Sequence, residues 1–326
     1  MTIETKGLTK TYRRFEKQPG IRGSVKSLFH RQYVSKTAVD HLDLRIDEGE
    51  FVGLIGPNGA GKTTLVKMLT GIIAPSEGAV SVLGYCPNKL EKAFKRQYAV
   101  VMGQKSQLFF ELTPADTLLL FKELYGISDA AYRQNLDYFV GLFDVGQFMN
   151  VQVRTLSLGE RMKMELIVAL LHNPRVLFLD EPTIGLDAVA QRQIRLFLRQ
   201  VNRDRGTTIL LTSHYMEDIQ ALCARSVLIG SGRKLYDGTT DALFARYQTH
   251  RVVTISFAEE TQASLPDGAL LLERTPHKLR FRIEKERTRD AMQQLLASSP
   301  LCDVKVEEDE IGSVVESIYR EMGVRG

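Results

Sequence analysis

Cysteine is scarce in this 326-residue chain: Cys86, Cys223 and Cys302 lie far apart and share no metal-ligand spacing with one another or with the six histidines. A disulfide scaffold and a cysteine-based metal module are thereby excluded, and the three read as small core residues in a reducing compartment. Long apolar runs are missing too. No uncharged apolar stretch approaches the roughly 18 residues that cross a bilayer, and the opening MTIETKGLTK has no signal-peptide core, so a soluble, cytoplasmic chain is expected. Neither charge dominates: 43 Lys and Arg stand against 39 Asp and Glu, with 44% hydrophobic positions. That composition suits one large globular domain and a smaller one.

The slight basic excess sits in one stretch. Residues 13–36 carry Arg13, Arg14, Lys17, Arg22, Lys26, Arg31 and Lys36 against Glu16 alone, and the rest of the chain is slightly acidic. After Pro19 and Gly20, the positions Ile21, Val25, Leu28, Phe29 and Tyr33 fall on one helical face, which predicts a short basic amphipathic helix.

The strongest chemical signal is EFVGLIGPNGAGKTTLVKMLTGI. Phe51 to Ile55 is an apolar run of buried-strand type, a G-x-x-x-x-G-K-[ST] loop follows, and Leu65, Met68, Leu69 and Ile72 recur at helical spacing. Gly56, Pro57, Asn58, Gly59, Ala60, Gly61, Lys62, Thr63 and Thr64 form the loop. Its glycines permit close backbone approach, so that N–H groups converge on phosphate oxygens at a positive helix end. Lys62 supplies a cation for the phosphates, and the Thr63 hydroxyl is a ligand for Mg²⁺.

A phosphate cradle alone does not separate a kinase, a GTPase and a transport ATPase. Downstream, RVLFLDEPTIGLD ends an apolar strand in Asp180 and Glu181, where a parallel strand would deliver them to the same edge as the loop. One carboxylate can then serve Mg²⁺ and the next can polarise an attacking water. Between these motifs, TLSLGERMKMELIVALLHNP reads as a helix capped by Ser157, with Glu160 completing a capping box. A helix opening on Ser-x-Gly offers a second anion-binding end.

With these residues the sequence resembles the ATP-binding-cassette (ABC) ATPases over about residues 1–244. GPNGAGKTT looks like their phosphate loop, LSLGE their signature, LFLDE their second Walker motif and GLD their D-loop; TSHYMED carries a switch histidine, His214, and VVMGQ a Q-loop glutamine, Gln104. The resemblance implies an α/β fold: a P-loop ABC ATPase domain with a mostly parallel sheet core and a helical subdomain at 105–173 that carries the signature and grips a permease. It also implies that two cassettes pair head to tail, each ATP lying between the phosphate loop of one and the Ser157 and Gly159 helix end of the other. In that scheme Glu181 is the general base, His214 holds the γ-phosphate, and Asp180 and Gln104 join Thr63 around Mg²⁺. Asp187 crosses the pair's interface. Gln97 and Gln107 compete with Gln104 for its role. An adenine-stacking aromatic falls at Tyr12, with Tyr33 as the alternative.

Two residues depart from the family's pattern. Leu158 stands where the signature commonly has Gly, and Glu160 where it has Gln; neither removes Ser157 or Gly159, so a working ATPase is expected. Beyond LYDGTTDALFARY the pattern changes. RVVTISF, ALLLERT, KLRFRI, a helix around Asp290 to Leu296, VKVEE and a last helix GSVVESIYREM predict a small α+β domain over 245–326, with a dimer-support or regulatory role.

Three functional classes follow. The favoured one is the ATPase subunit of an exporter at the cytoplasmic face of the inner membrane, bound to separate integral membrane permease subunits and to a second ATPase subunit, with the basic stretch meeting an anionic membrane surface. A chromosome or repair ABC ATPase would need a long coiled coil, which is missing. A ribosome-associated ABC protein normally carries two cassettes, whereas this sequence has one phosphate loop and no expected nucleic-acid partner.

Overall fold

The computed structural model describes residues 1–15, 33–103, 105–213, 215–247, 249–261, 263–298 and 301–308. Gln104, His214, most of the basic stretch (16–32) and the expected last helix lie outside the described residues. The chain divides into two units, Met1–Thr239 and Thr240–Gly326, ahead of the boundary expected at 244/245.

In the first unit, β1 (Ile3–Phe15) pairs antiparallel with β2 (Tyr33–Ile46) and with β4 (Glu77–Val82). Both ends of the basic stretch belong to this ladder, Arg13 facing Ser35 and Arg14 facing Val34. The first strand therefore runs past Tyr12, and Tyr33 opens β2 instead of closing an amphipathic helix. Exposed strand ends accept basic side chains without burial cost, so the charge pattern does not forbid them.

A second sheet has the order β5-β6-β7-β3-β8-β9. Here β3 is Phe51–Ile55, β5 Tyr98–Met102, β6 Val176–Asp180, β7 Thr208–Thr212, β8 Arg225–Gly230 and β9 Arg233–Thr239. All neighbours are parallel except β8 and β9. The strands β3 and β7 are buried along their whole length, which explains their unbroken apolar reading: a parallel strand covered on both faces has no solvent side to alternate. Helix α1 (Lys62–Leu69) packs into the core shared by both sheets, with Leu65, Val66, Met68 and Leu69 fully buried. At roughly 1.5–3 kcal/mol for each such side chain, this burial holds an eight-residue helix that would not persist alone.

Short helix α2 (Lys92–Lys95) precedes β5. Helices α3 (Pro114–Tyr125), α4 (Asp129–Phe143) and α5 (Leu158–Leu170) then form the helical region. Leu118 of α3 and Phe139 and Phe143 of α4 are buried. Leu124 is 68% exposed, and so are much of Leu119 and Leu120: α3 carries more apolar positions than its packed face can cover.

His172, just after α5, ties this region to the sheet. Its ring stacks on Tyr125 at 4.0 Å, and Nε2 donates to the Tyr98 carbonyl at 3.1 Å. Nδ1 is buried with no partner, so a proton there would be desolvated and uncompensated. Burial pulls the His172 pKa down to about 4, against the opposing hydrogen bond to Tyr98. Because the unfolded ring titrates near 6.5, the unfolded state binds more protons between these values. Folding stability is then complete above that range and falls as the pH drops towards 4, by about 3 kcal/mol from this ring. Urea midpoints measured from pH 7 to 4.5 should show a shallower acid slope in His172→Gln than in the wild type; equal slopes would refute this assignment.

The second unit opens with α8 (Thr240–Tyr247), following α6 (Ala188–Arg205) and α7 (Met216–Leu222) of the first. Its antiparallel sheet has the order β11-β12-β10-β13, from β10 (His250–Phe257), β11 (Leu270–Thr275), β12 (Lys278–Glu284) and β13 (Leu301–Glu308). Alternate residues Val253, Ile255, Leu279, Phe281 and Ile283 form its core with Ala291 and Leu295 of α9 (Thr288–Ser298), the one-face-in pattern of an antiparallel sheet. All three cysteines are free. Cys223 is buried as expected, but Cys86 is half-buried and Cys302, on edge strand β13, is exposed.

Candidate nucleotide site

The parallel strands bring the chemistry to one edge. Asp180 at the end of β6 lies opposite Thr212 of β7, and Thr212 lies opposite Leu54 of β3. The phosphate loop, the acid pair and the segment after β7 therefore meet outside the carboxyl ends of the strands, where open α/β sheets bind ligands.

A cleft of about 280 Å³ opens there, lined by Tyr12, Lys36, Ala38, the loop from Pro57 to Thr64, and Glu181. Gly61 caps α1 at φ 108°, a conformation open to glycine. A Cβ on it would lie 2.3 Å from the Ala38 carbonyl oxygen, and one on Gly56 would lie 2.5 Å from that of Ile229. No side chain caps α1, whereas Thr113, Ser157 and Asp187 cap α3, α5 and α6. The N-terminus of α1 is thus left for an anion. Lys62 is 5% exposed and donates to the carbonyls of Gly56 (2.6 Å) and Pro57 (3.2 Å).

Thr63 Oγ1 donates to Asp180 Oδ2 at 3.0 Å, and Thr212 Oγ1 donates to Oδ1 at 2.5 Å. The next residue, Glu181, sits at φ 57°, a left-handed conformation that costs a non-glycine residue about 1–3 kcal/mol. Three features hold it there. Its N–H donates to the Thr212 carbonyl at 3.0 Å, its carbonyl accepts from Ile184 at 3.3 Å, and Gly103 leaves room, since a Cβ on Gly103 would lie 2.2 Å from the Glu181 carbonyl oxygen. The strain turns the side chain of the second acid into the cleft, while Asp180 stays beside Thr63.

The ABC transporter family model matches residues 39–184. The ABC transporter ATP-binding protein NatA of Bacillus subtilis (strain 168) is 35% identical over 207 residues, 64% of this chain and 84% of that protein. This chain belongs to the ABC transporter ATP-binding proteins. The Nod factor export ATP-binding protein I of Paraburkholderia xenovorans (strain LB400) is 37% identical over 245 residues, 75% of this chain and 80% of the relative. Among solved structures, an ATP-binding subunit of an ABC transporter superposes with a TM-score of 0.62 at 26% identity, covering 76% of this chain and 93% of that one. The chain is accordingly an ABC ATPase that binds and hydrolyses ATP.

The ABC ATPase signature forms the predicted capping box. Ser157 Oγ accepts from the Glu160 N–H at 3.3 Å, and Glu160 Oε2 accepts from the Ser157 N–H at 2.8 Å. Glu160, which departs from the usual signature, is thus employed in the cap. Exposed Leu158 approaches Gly185 of the GLD turn. Ser157 and Gly159 do not line the cleft, and Asp187 Oδ1 accepts from the Ala190 N–H at 2.8 Å. The two rival glutamines have structural partners: Gln97 Nε2 donates to the Tyr85 hydroxyl (3.2 Å) and Gln107 Nε2 to the Val100 carbonyl (2.9 Å). Tyr12 lines the cleft and Tyr33 does not. Sequence reasoning missed Lys36, Ala38, Gly103 and Thr212. Of these, Thr212 had a signal: it closes the apolar strand TILLT just before the histidine motif.

Proposed function

We propose that this ATPase works as a pair in an exporter, at the cytoplasmic face of the inner membrane and coupled to separate integral membrane permease subunits. The observation that carries the pairing is the division of the anion-binding ends. The cleft holds one uncapped helix terminus, Lys62 and Glu181, while the Ser157 end of α5 stands outside it. Phosphoryl transfer requires charge stabilisation around the whole γ-phosphate, and a second copy would bring its Ser157 and Gly159 to the uncovered side. Asp187, at the start of α6, would lie at that junction.

Thr63 and Asp180 suit a hard cation. Among the described residues no three His, Cys, Asp or Glu side chains gather as a metal site, which fits an Mg²⁺ completed by phosphate oxygens and water. Such an ion would neutralise charge on the β- and γ-phosphates. Glu181 would take the proton of the attacking water, and Tyr12 would stack on the base. Gln104 and His214 keep the metal-side and γ-phosphate roles that the family implies.

The export direction draws its support from the Nod factor export relative. Coupling is supported by a second cavity of about 240 Å³ beside position 104, lined by Lys105, Phe110, Leu158, Arg161 and Glu165 among others. Glu165 pins its wall: the buried carboxylate accepts from the Gln107 N–H at 2.9 Å and from the Ser106 hydroxyl. A permease helix would seat there. Among the described residues no helix is long and apolar enough to cross a membrane. Purification of the tagged chain from detergent extracts of its own cells should recover a polytopic membrane protein in fixed ratio. Recovery with ribosomes in its place would sink the exporter reading.

A further inference from the structure

One layer behind the acid pair lies a buried carboxylate. Asp218, on α7, has no exposed surface. Its Oδ2 accepts from the hydroxyls of Thr183 and of Ser213 (3.1 Å), and its Oδ1 accepts from Arg195 Nη1 on α6 at 2.8 Å. Thr183 and Ser213 are themselves buried. A carboxylate taken fully out of water is retained at a cost unless donors surround it, and such networks specify an arrangement more than they add net stability.

The arrangement specified here is that of the reacting edge. Thr183 belongs to the turn that carries Glu181: the Glu181 carbonyl accepts from Ile184, and the Thr183 carbonyl accepts from Leu186 at 3.2 Å. With Glu181 at φ 57° and Gly185 at φ 74°, this turn has two left-handed residues and needs an external anchor to keep one shape. Ser213 directly follows β7, and its Oγ accepts from the Tyr215 N–H at 3.0 Å, so the same carboxylate also fixes the segment leaving that strand.

We propose that Asp218 is a positioning residue for ATP hydrolysis: through Thr183 and Ser213 it locks the 181–185 turn to the end of β7, and so presents Glu181 to the nucleotide in one geometry. This rests on Glu181 acting as the general base. Asp218 touches neither phosphate loop nor cleft, so its loss should act on turnover and spare ATP binding.

The test uses the full-length chain and measures kcat, KM for ATP and thermal midpoint. Thr183→Val, which keeps the shape and deletes the donor, is expected to lower kcat by about tenfold or more with KM within about threefold, the signature of misplacement. Thr183→Ser restores the donor and should restore kcat. Asp218→Asn should lower kcat similarly, and adding Thr183→Val to it should cost much less than the product of the two losses, because both cut one link. If Asp218→Asn does not fold, the Thr183 pair carries the test. Thr183→Val turning over within about twofold of wild type, or a loss that Thr183→Ser fails to rescue, would overturn the inference. Glu181→Gln, run alongside, separates the two claims: wild-type turnover in that variant removes the general base itself, whereas an inactive Glu181→Gln with an active Thr183→Val removes only the anchor.

Discussion

Lys62→Met is expected to weaken ATP binding by about 10- to 100-fold and to take hydrolysis at ordinary ATP concentrations down with it. The ammonium is buried at the base of the phosphate loop and held on the carbonyls of Gly56 and Pro57. Burial pulls its pKa down, while Glu181 and, less, Asp180 push it back up, so the acid pair helps keep a cation in a place where water would not. A triphosphate in the cleft would add negative charge beside this ammonium. A hydrogen bond to a charged group contributes about 1.5–3 kcal/mol, and about 1.4 kcal/mol is a factor of ten in affinity. Methionine preserves the length and packing of the stem and removes only the charge. Calorimetric titration with ATP measures the loss; a Kd within threefold of the wild type would show that backbone N–H groups and the helix end suffice.

Much of the site was legible because its residues are constrained locally. The loop from Gly56 to Thr64 needs glycines at fixed places, Ser157 and Glu160 form a cap that depends only on i and i+3, and the central parallel strands are apolar along their length because both faces are covered. The C-terminal strands alternate because one face of their sheet meets α9. Features set by distant partners were not legible. Gly103 looks like any turn glycine until the Glu181 carbonyl is seen against it. Asp218 reads as one more acid on a polar helix, and only the packing of α7 against α6 and β3 shows that it has no solvent. Arg13 and Arg14 belong to an exposed ladder end, where charge carries no information about strand or helix. Exposed Cys302 and Leu124 reflect which face of their elements found a partner, something no single segment specifies.

Glu181→Gln should bind ATP and scarcely hydrolyse it. Glutamine keeps the size of the side chain and can adopt the same left-handed backbone, so the bonds from Glu181 N–H to Thr212 and from Ile184 to the Glu181 carbonyl are retained. On the proposed mechanism the variant would lose the ability to take a proton from water, and removing a general base costs typically about 10²–10⁴ in rate. Lys62, Thr63 and the uncapped end of α1 are untouched, so affinity should change little. With cleavage blocked, the nucleotide should persist between two copies, each supplying the Ser157 end that the other's cleft lacks, and the pair should accumulate. The most direct measurement is therefore phosphate release and molar mass in solution from one sample of Glu181→Gln incubated with ATP. Release at least about a hundredfold below wild type, retained ATP and the mass of two chains are expected; phosphate released at the wild-type rate would remove Glu181 from the mechanism.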